Sequence, residues 1–297
     1  MGISDNRVDQ YLKLHPKWAE STKDRYRGLI NQLLKDVVDV EAMNSEGFES
    51  WLYGKKWGES ARWLAFCACR QYLAWRYGSN HLALSLSIGR RDSGPQRTLK
   101  LKEIKKLLSS FNTMTAKGIR DLSMCSLMLD SGLRASEICR LEVRHLDLDE
   151  RHLDVIIKGG NWGEGVFSEI SKSFLLDWIS IRSKYAKPDI GTVFVSLGGK
   201  KPGTEMGRDG FKVVVRRWGS ASGIGEISPH VLRRTFATQA TRNRAPAKIV
   251  QTAGRWSSMK MVERYTRAIE ATDFEGFYPV DSAMDLGNFE KPRRGRP

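Results

Sequence analysis

One stretch of this chain breaks an otherwise helical pattern. Residues 152–157 and 166–170 are rich in apolar and β-branched side chains, and between them lies a glycine-rich turn, Lys158-Gly159-Gly160-Asn161-Trp162-Gly163. Two such runs around a turn of this composition predict a β-hairpin. A further apolar run at 192–196 predicts a third strand. Elsewhere apolar residues recur mostly at helical spacing. The expected fold is therefore mostly α with a small antiparallel β-sheet.

A chain of 297 residues is long enough for two domains, each with its own core. In residues 1–88, Ser21-Thr22-Lys23-Asp24 resembles a capping box with Asp24 in place of Glu or Gln, and Tyr26, Leu29, Ile30 and Leu33 then share one helical face. A short helix is expected around 44–53, burying Phe48, Trp51 and Leu52. A longer one from about 60 to 77 carries Trp63, Leu64, Phe66, Leu73 and Tyr77. Residues 89–98 hold Gly89, Arg90, Arg91, Ser93, Gly94, Pro95 and Arg97, a linker composition whose arginines suit a strap across phosphates.

A second domain, 99–270, opens with a helix carrying Ile104, Leu107 and Leu108. An amphipathic run over 117–129 ends at Ser131-Gly132, so Arg134 stands at the start of the next helix. Helices are also expected near 172–185, 208–222 and 229–241. Residues 271–297 form a C-terminal segment with a basic tail.

Charge narrows the partner. Lys plus Arg number 49 against 34 Asp plus Glu, a net +15, and the pI is about 9.8. Such a balance favours a polyanion. There is no run of some eighteen apolar residues and no signal-peptide pattern, so the expected protein is soluble and intracellular, with no membrane partner. Cys67, Cys69, Cys125 and Cys139 lack the companions of a zinc site and are expected to pack reduced, as small hydrophobes.

Six residues supply the chemistry of a phosphodiester. Arg134 and Arg233 offer planar guanidiniums for the non-bridging oxygens, and His230, one helical turn before Arg233, donates to phosphate or handles a proton. Trp256 offers one indole N–H, Lys158 a proton for the leaving oxygen, and Tyr265 a nucleophile nine residues after Trp256. In this order and spacing, over roughly 100–270, the chain resembles the tyrosine recombinases of the phage integrase family.

The resemblance implies a 3′-phosphotyrosyl intermediate with a free 5′ hydroxyl, and a helical core-binding domain at 1–88 ahead of an α+β catalytic domain at 99–270. It implies double-stranded recombination sites as partner, with a homotetramer on two of them. In the first domain, Lys23, Arg25, Arg27, Lys55, Lys56, Trp57 and Arg62 are candidates for DNA contact, or form a solvated charged surface; Arg90 and Arg91 join them from the linker. Arg293, Arg294 and Arg296 belong to a tail ending Arg-Gly-Arg-Pro, either a minor-groove hook or a basic tail without base preference. Glu137, one turn after Arg134, is expected to orient a catalytic cation rather than to bind a metal, since no second carboxylate stands near it in sequence. No metal and no cofactor are expected.

Two departures stand out. The stretch after Lys158 lacks the second basic residue common in the family, and Arg234 stands where many members have His. The early start of the helical domain predicts that no arm-binding domain precedes it. An apolar-bearing segment at 271–289 suits docking on a neighbouring protomer or packing on its own domain. A type IB topoisomerase and a non-catalytic DNA-binding regulator are the competing readings. Integration, excision, resolution and inversion, on a mobile element or in a host, are all roles open to such a residue set.

Overall fold

The computed structural model describes residues 6–89, 96–157, 159–266 and 269, the side chains of 264–266 excepted. The chain divides into two compact units, Met1–Ser93 and Gly94–Pro297.

The first unit is helical: α1 (Asn6–Lys13), α2 (Glu20–Asp36), α3 (Ser45–Tyr53) and α4 (Glu59–Tyr77). Its main core gathers Leu33, Phe48, Trp51, Leu52, Phe66 and Leu73, and a smaller cluster joins Val8, Tyr11, Leu12, Ile30 and Tyr72. The Asn44 side chain caps α3 by accepting from the Gly47 N–H. The capping box expected at Ser21 does not form. Helix α2 already begins at Glu20, with Ala19 as N-cap, so Ser21 lies inside the first turn.

In the second unit, α5 (Leu101–Leu108) leads into α6 (Ala116–Ser131), which packs against α8 (Glu169–Arg182) and α10 (Pro229–Arg242). Leu127, Met128, Ile138, Leu153, Trp178, Phe194, Phe211 and Leu232 fill the core. Burying each such side chain contributes about 1.5–3 kcal/mol. Helix α7 (Ala135–Arg140) is followed by β1 (Leu146–Asp147), β2 (His152–Ile156) and β3 (Trp162–Val166), antiparallel in the order β1-β2-β3. Helix α9 (Arg208–Ala221) precedes α10, and α11 (Ala247–Ala253) and α12 (Met259–Thr266) follow it.

Mostly helical with a small antiparallel sheet, the fold is as expected, but two strands differ. The hairpin's second strand is 162–166, not 166–170, pairing Ile156 with Trp162 and His152 with Val166. After Val166 the chain passes through Phe167 to Ser168 and enters α8, which takes Glu169 and Ile170, because the Ser168 hydroxyl accepts from the Ser171 N–H as N-cap while it donates to Asp130. The apolar run 192–196 makes only isolated bridges, and the sheet's third strand is β1. Side chains take the run's carbonyls: Arg182 bonds Thr192 O at 2.8 Å, Trp178 Nε1 bonds Val193 O at 2.7 Å, and Arg120 bonds Val195 O at 3.0 Å. No neighbouring strand is needed to satisfy them.

All four cysteines are free, with Cys69, Cys125 and Cys139 buried. Among the described residues no helix is long and apolar enough to cross a membrane.

Candidate active site

The site begins where α6 stops. Gly132 adopts the left-handed conformation at φ 59°, and a Cβ there would lie 2.4 Å from Phe236 Cδ1 on α10. Only glycine combines that turn with that approach. The reversal leaves Arg134 as the extended N-cap of α7, with Glu137 at the third helical position.

Glu137 is the hub. Its Oε2 accepts from the Arg134 backbone N–H at 2.9 Å and its Oε1 from Arg134 Nη1 at 2.5 Å. Arg233 Nη1 approaches Oε2 at 4.0 Å and Arg255 Nη2 at 3.4 Å. Three guanidiniums thus converge on a carboxylate whose side chain is 1% exposed. Burial alone would raise the Glu137 pKa, but Arg255 and the Arg134 backbone and side chain outweigh it and hold the carboxyl below its usual range.

Helix α10 contributes Arg233, 2% exposed, fixed by donation to the Gly132 carbonyl and, at 2.5 Å, to the Gly254 carbonyl. Its guanidinium lies 4.7 Å from the Trp256 ring centre, a cation–π contact. Trp256 is buried with Phe236, Ala237, Val250 and Val262. His230 keeps an exposed edge. Its imidazole is nonetheless pushed below its ordinary range, first by desolvation and then by Arg234, Arg233, Lys212 and Arg134. Near neutral pH it is therefore chiefly the uncharged, proton-accepting form.

Tyr265 belongs to α12, which packs against α10 and α11 and buries Val262 beside Trp256. Lys158 lies outside the described residues, as do Arg90, Arg91, Arg293, Arg294, Arg296 and the segment 271–289. Thus Arg134, Glu137, Arg233 and Trp256 are brought together, with His230 a turn from Arg233 and the backbone of Tyr265 on the adjoining helix.

Arg255 has no role among the sequence-based expectations. It is one of three non-glycine residues with positive φ among those described, at 55°. A left-handed residue with a side chain costs roughly 1–2 kcal/mol. Its side chain is 4% exposed. Its partners are main-chain carbonyls and Glu137, for which no sequence spacing gives a signal.

The candidate DNA-contact residues of the first unit divide. Lys23 pairs with Glu20, Arg27 with Asp9 and Asp24, and Lys55 with Asp36. Arg62 bonds the Leu52 and Trp57 carbonyls and lies over the Tyr53 ring. Trp57 packs edge-on against Trp51 in the core. Arg25 and Lys56 are exposed. In the second unit Arg97 is tied to Glu103 and the Ile224 carbonyl.

The decisive comparison is with known families: the model of the phage integrase family matches residues 97–271. This chain belongs to the phage integrase family. As a tyrosine recombinase it is an enzyme of DNA strand breakage and rejoining, as the residue series implied.

Curated relatives agree. The chain is 25% identical over 234 residues to tyrosine recombinase XerC of Proteus mirabilis, covering 77% of this chain and 73% of that protein. It is 26% identical over 258 residues to XerD of Listeria monocytogenes, covering 84% of each. Among solved structures, the Tn1549 transposon integrase with transposon right-end DNA superposes with a TM-score of 0.73 at 15% identity, over 95% of this chain and 98% of that one. XerH bound to palindromic difH, a post-cleavage complex, gives 0.70 at 17%, over 94% and 86%. These two likenesses concern the fold.

Proposed function

We propose that this tyrosine recombinase opens one DNA strand at a time by attack of Tyr265 on a phosphodiester held by Arg134 and Arg233. A 3′-phosphotyrosyl link and a free 5′ hydroxyl result. The observation that carries the reading is the convergence of Arg134 and Arg233 on one buried carboxylate, beside Trp256 and the helix that bears Tyr265. Negative charge accumulates on the non-bridging oxygens as the tyrosine oxygen attacks, and fixed guanidiniums stabilise it without reorganising. Glu137 orients both arginines. The attack breaks the bond to the 5′ oxygen, and Lys158 gives that oxygen its proton. The neutral His230 imidazole takes the phenolic proton of Tyr265. Trp256 closes the pocket behind the phosphate and supports Arg233.

Resealing reverses the attack with a 5′ hydroxyl from the partner strand, so the phosphodiester energy is kept in the covalent link. The partner is double-stranded DNA, consistent with the charge of +15. The Tn1549 integrase and XerH structures, both DNA complexes, support this reading. The Met1–Ser93 unit serves as the core-DNA-binding domain, with Arg25 and Lys56 its exposed candidates. The working assembly is a homotetramer on two sites, and 271–297 assists through its basic residues. A mobile-element role is in keeping with the likeness to the Tn1549 integrase.

A nicked suicide substrate tests the reading: escape of the short 5′-hydroxyl strand should leave a denaturation-resistant protein–DNA adduct. Its rate depends on pH with a definite sign. Because the His230 pKa is lowered, the imidazole becomes protonated only below the ordinary value of about 6.5. Single-turnover adduct formation should therefore be flat near neutrality and fall as pH drops through an inflection below that value. Replacing His230 by Gln should remove that inflection. An unchanged inflection in the variant would take the proton-accepting role from His230.

A further inference from the structure

Arg255 occupies a costly position. It is a large side chain on a left-handed backbone, almost fully enclosed, in the turn between α11 and Trp256. The sheet is shaped to admit it. On β3, a Cβ at Gly163 would come within 3.0 Å of Arg255 Cδ and 2.7 Å of Ile157 Cγ2. At Gly165 it would stand 3.1 Å from Arg255 Nη1 and 2.8 Å from Leu153 Cδ1. Two glycines in a five-residue strand weaken it, and here they open the surface along which the guanidinium lies.

From that bed the fork reaches three chain segments. Nη1 donates to the Glu164 carbonyl at 2.9 Å and to the Ala253 carbonyl at 2.8 Å. Nη2 donates to the Ser131 carbonyl at 3.0 Å, in the turn that presents Arg134, and to Glu137 Oε2 at 3.4 Å. The Arg255 carbonyl in turn accepts from Arg134 Nη2 at 3.3 Å. The guanidinium therefore links β3 to the α6–α7 turn, while the main chain of the same residue holds Arg134 and leads into Trp256.

We infer that Arg255 is a positioning residue of this active site: it holds Glu137 and Arg134 in the geometry that receives the scissile phosphate, and keeps β3 in register with them. This rests on the function proposed above. A lysine cannot replace the fork, because one ammonium at the end of a flexible stem does not span the Glu164 and Ser131 carbonyls together with Glu137.

The test uses the full chain and a nicked suicide substrate, with adduct formation followed under single-turnover conditions. DNA binding is measured separately, and folding is checked by circular dichroism. Arg255→Gly removes the fork and relieves the positive φ, so it separates the side chain's role from the turn's. The expected result is a folded protein that binds DNA as wild type does and cleaves on the order of 10²-fold more slowly, the scale of loss when a reacting group is misplaced by about 1 Å.

The pH profile gives a readout that loss of packing would not move. Among the described residues, Arg134, Arg233 and Arg255 are the charged groups facing Glu137 from α7, α10 and the turn after α11. With Arg255 gone, Glu137 should protonate at a higher pH, bringing in a new acid-side loss of rate. Arg255→Lys keeps a buried cation and carries the test if the glycine variant does not fold; it should fold and still cleave slowly. A folded Arg255→Gly or Arg255→Lys protein that cleaves at the wild-type rate, or a slow Arg255→Gly protein with an unmoved pH profile, would overturn the inference. Failure of the wild-type protein to form any adduct would instead overturn the proposed function.

Discussion

A Tyr265→Phe protein is expected to bind its DNA site as wild type does and to form no covalent adduct at all. The substitution removes one oxygen and keeps the ring, so α12 should retain its packing against α10 and α11 through Val262. No other atom is assigned to attack phosphorus, and the effect should be abolition rather than slowing. A gel-shift titration beside a denaturing gel separates the two properties. Normal binding without adduct is the expected pair of results, whereas an adduct in the variant would mean that another nucleophile serves.

The second large effect is expected at the arginines. Removing one preorganised donor from a developing oxyanion costs on the order of 10²-fold to 10³-fold in rate. Arg134→Ala and Arg233→Ala should each lose about that much in single-turnover cleavage while binding DNA comparably. The two should differ in stability. The Arg134 side chain is 31% exposed, and its loss leaves Glu137 with two cations near it. Arg233 is fully buried, and its removal also strands the Gly132 and Gly254 carbonyls. Breaking such a buried charged contact costs about 3–5 kcal/mol. Thermal unfolding should therefore show Arg233→Ala melting well below Arg134→Ala. Equal melting points would mean that Arg233 contributes little to holding the α6–α7 turn, and a cleavage rate within a few-fold of wild type would remove that arginine from the phosphate.

How far the chain could be read follows from what each element depends on. The helices around Phe48, Leu107 and Leu127 carry enough apolar positions for their period to show, and Gly132 marked the end of α6 as its left-handed φ requires. Some short elements were lost: β1 is two residues long, and α11, of seven, buries Val250 alone and so shows no apolar period. Strand β3 was displaced because Trp-Gly-Glu-Gly-Val does not look like a strand until Arg255 is seen lying on its glycines.

The run 192–196 misled for the opposite reason. It has a strand's composition, but Trp178, Arg182 and Arg120 satisfy its carbonyls in place of a ladder. The catalytic candidates were legible because chemistry fixes their type and order. The shell that holds them was partly hidden: Glu137 sits one helical turn from Arg134 and could be found, whereas the Arg255 contacts join residues 91 to 124 positions apart in the chain.

The most direct measurement is to trap the wild-type protein on a nicked suicide substrate, digest the adduct with protease and nuclease, and locate the nucleotide-bearing residue by tandem mass spectrometry. The mechanism predicts a 3′-phosphate ester on the oxygen of Tyr265. A nucleotide on any other residue, or joined through its 5′ phosphate, would contradict it.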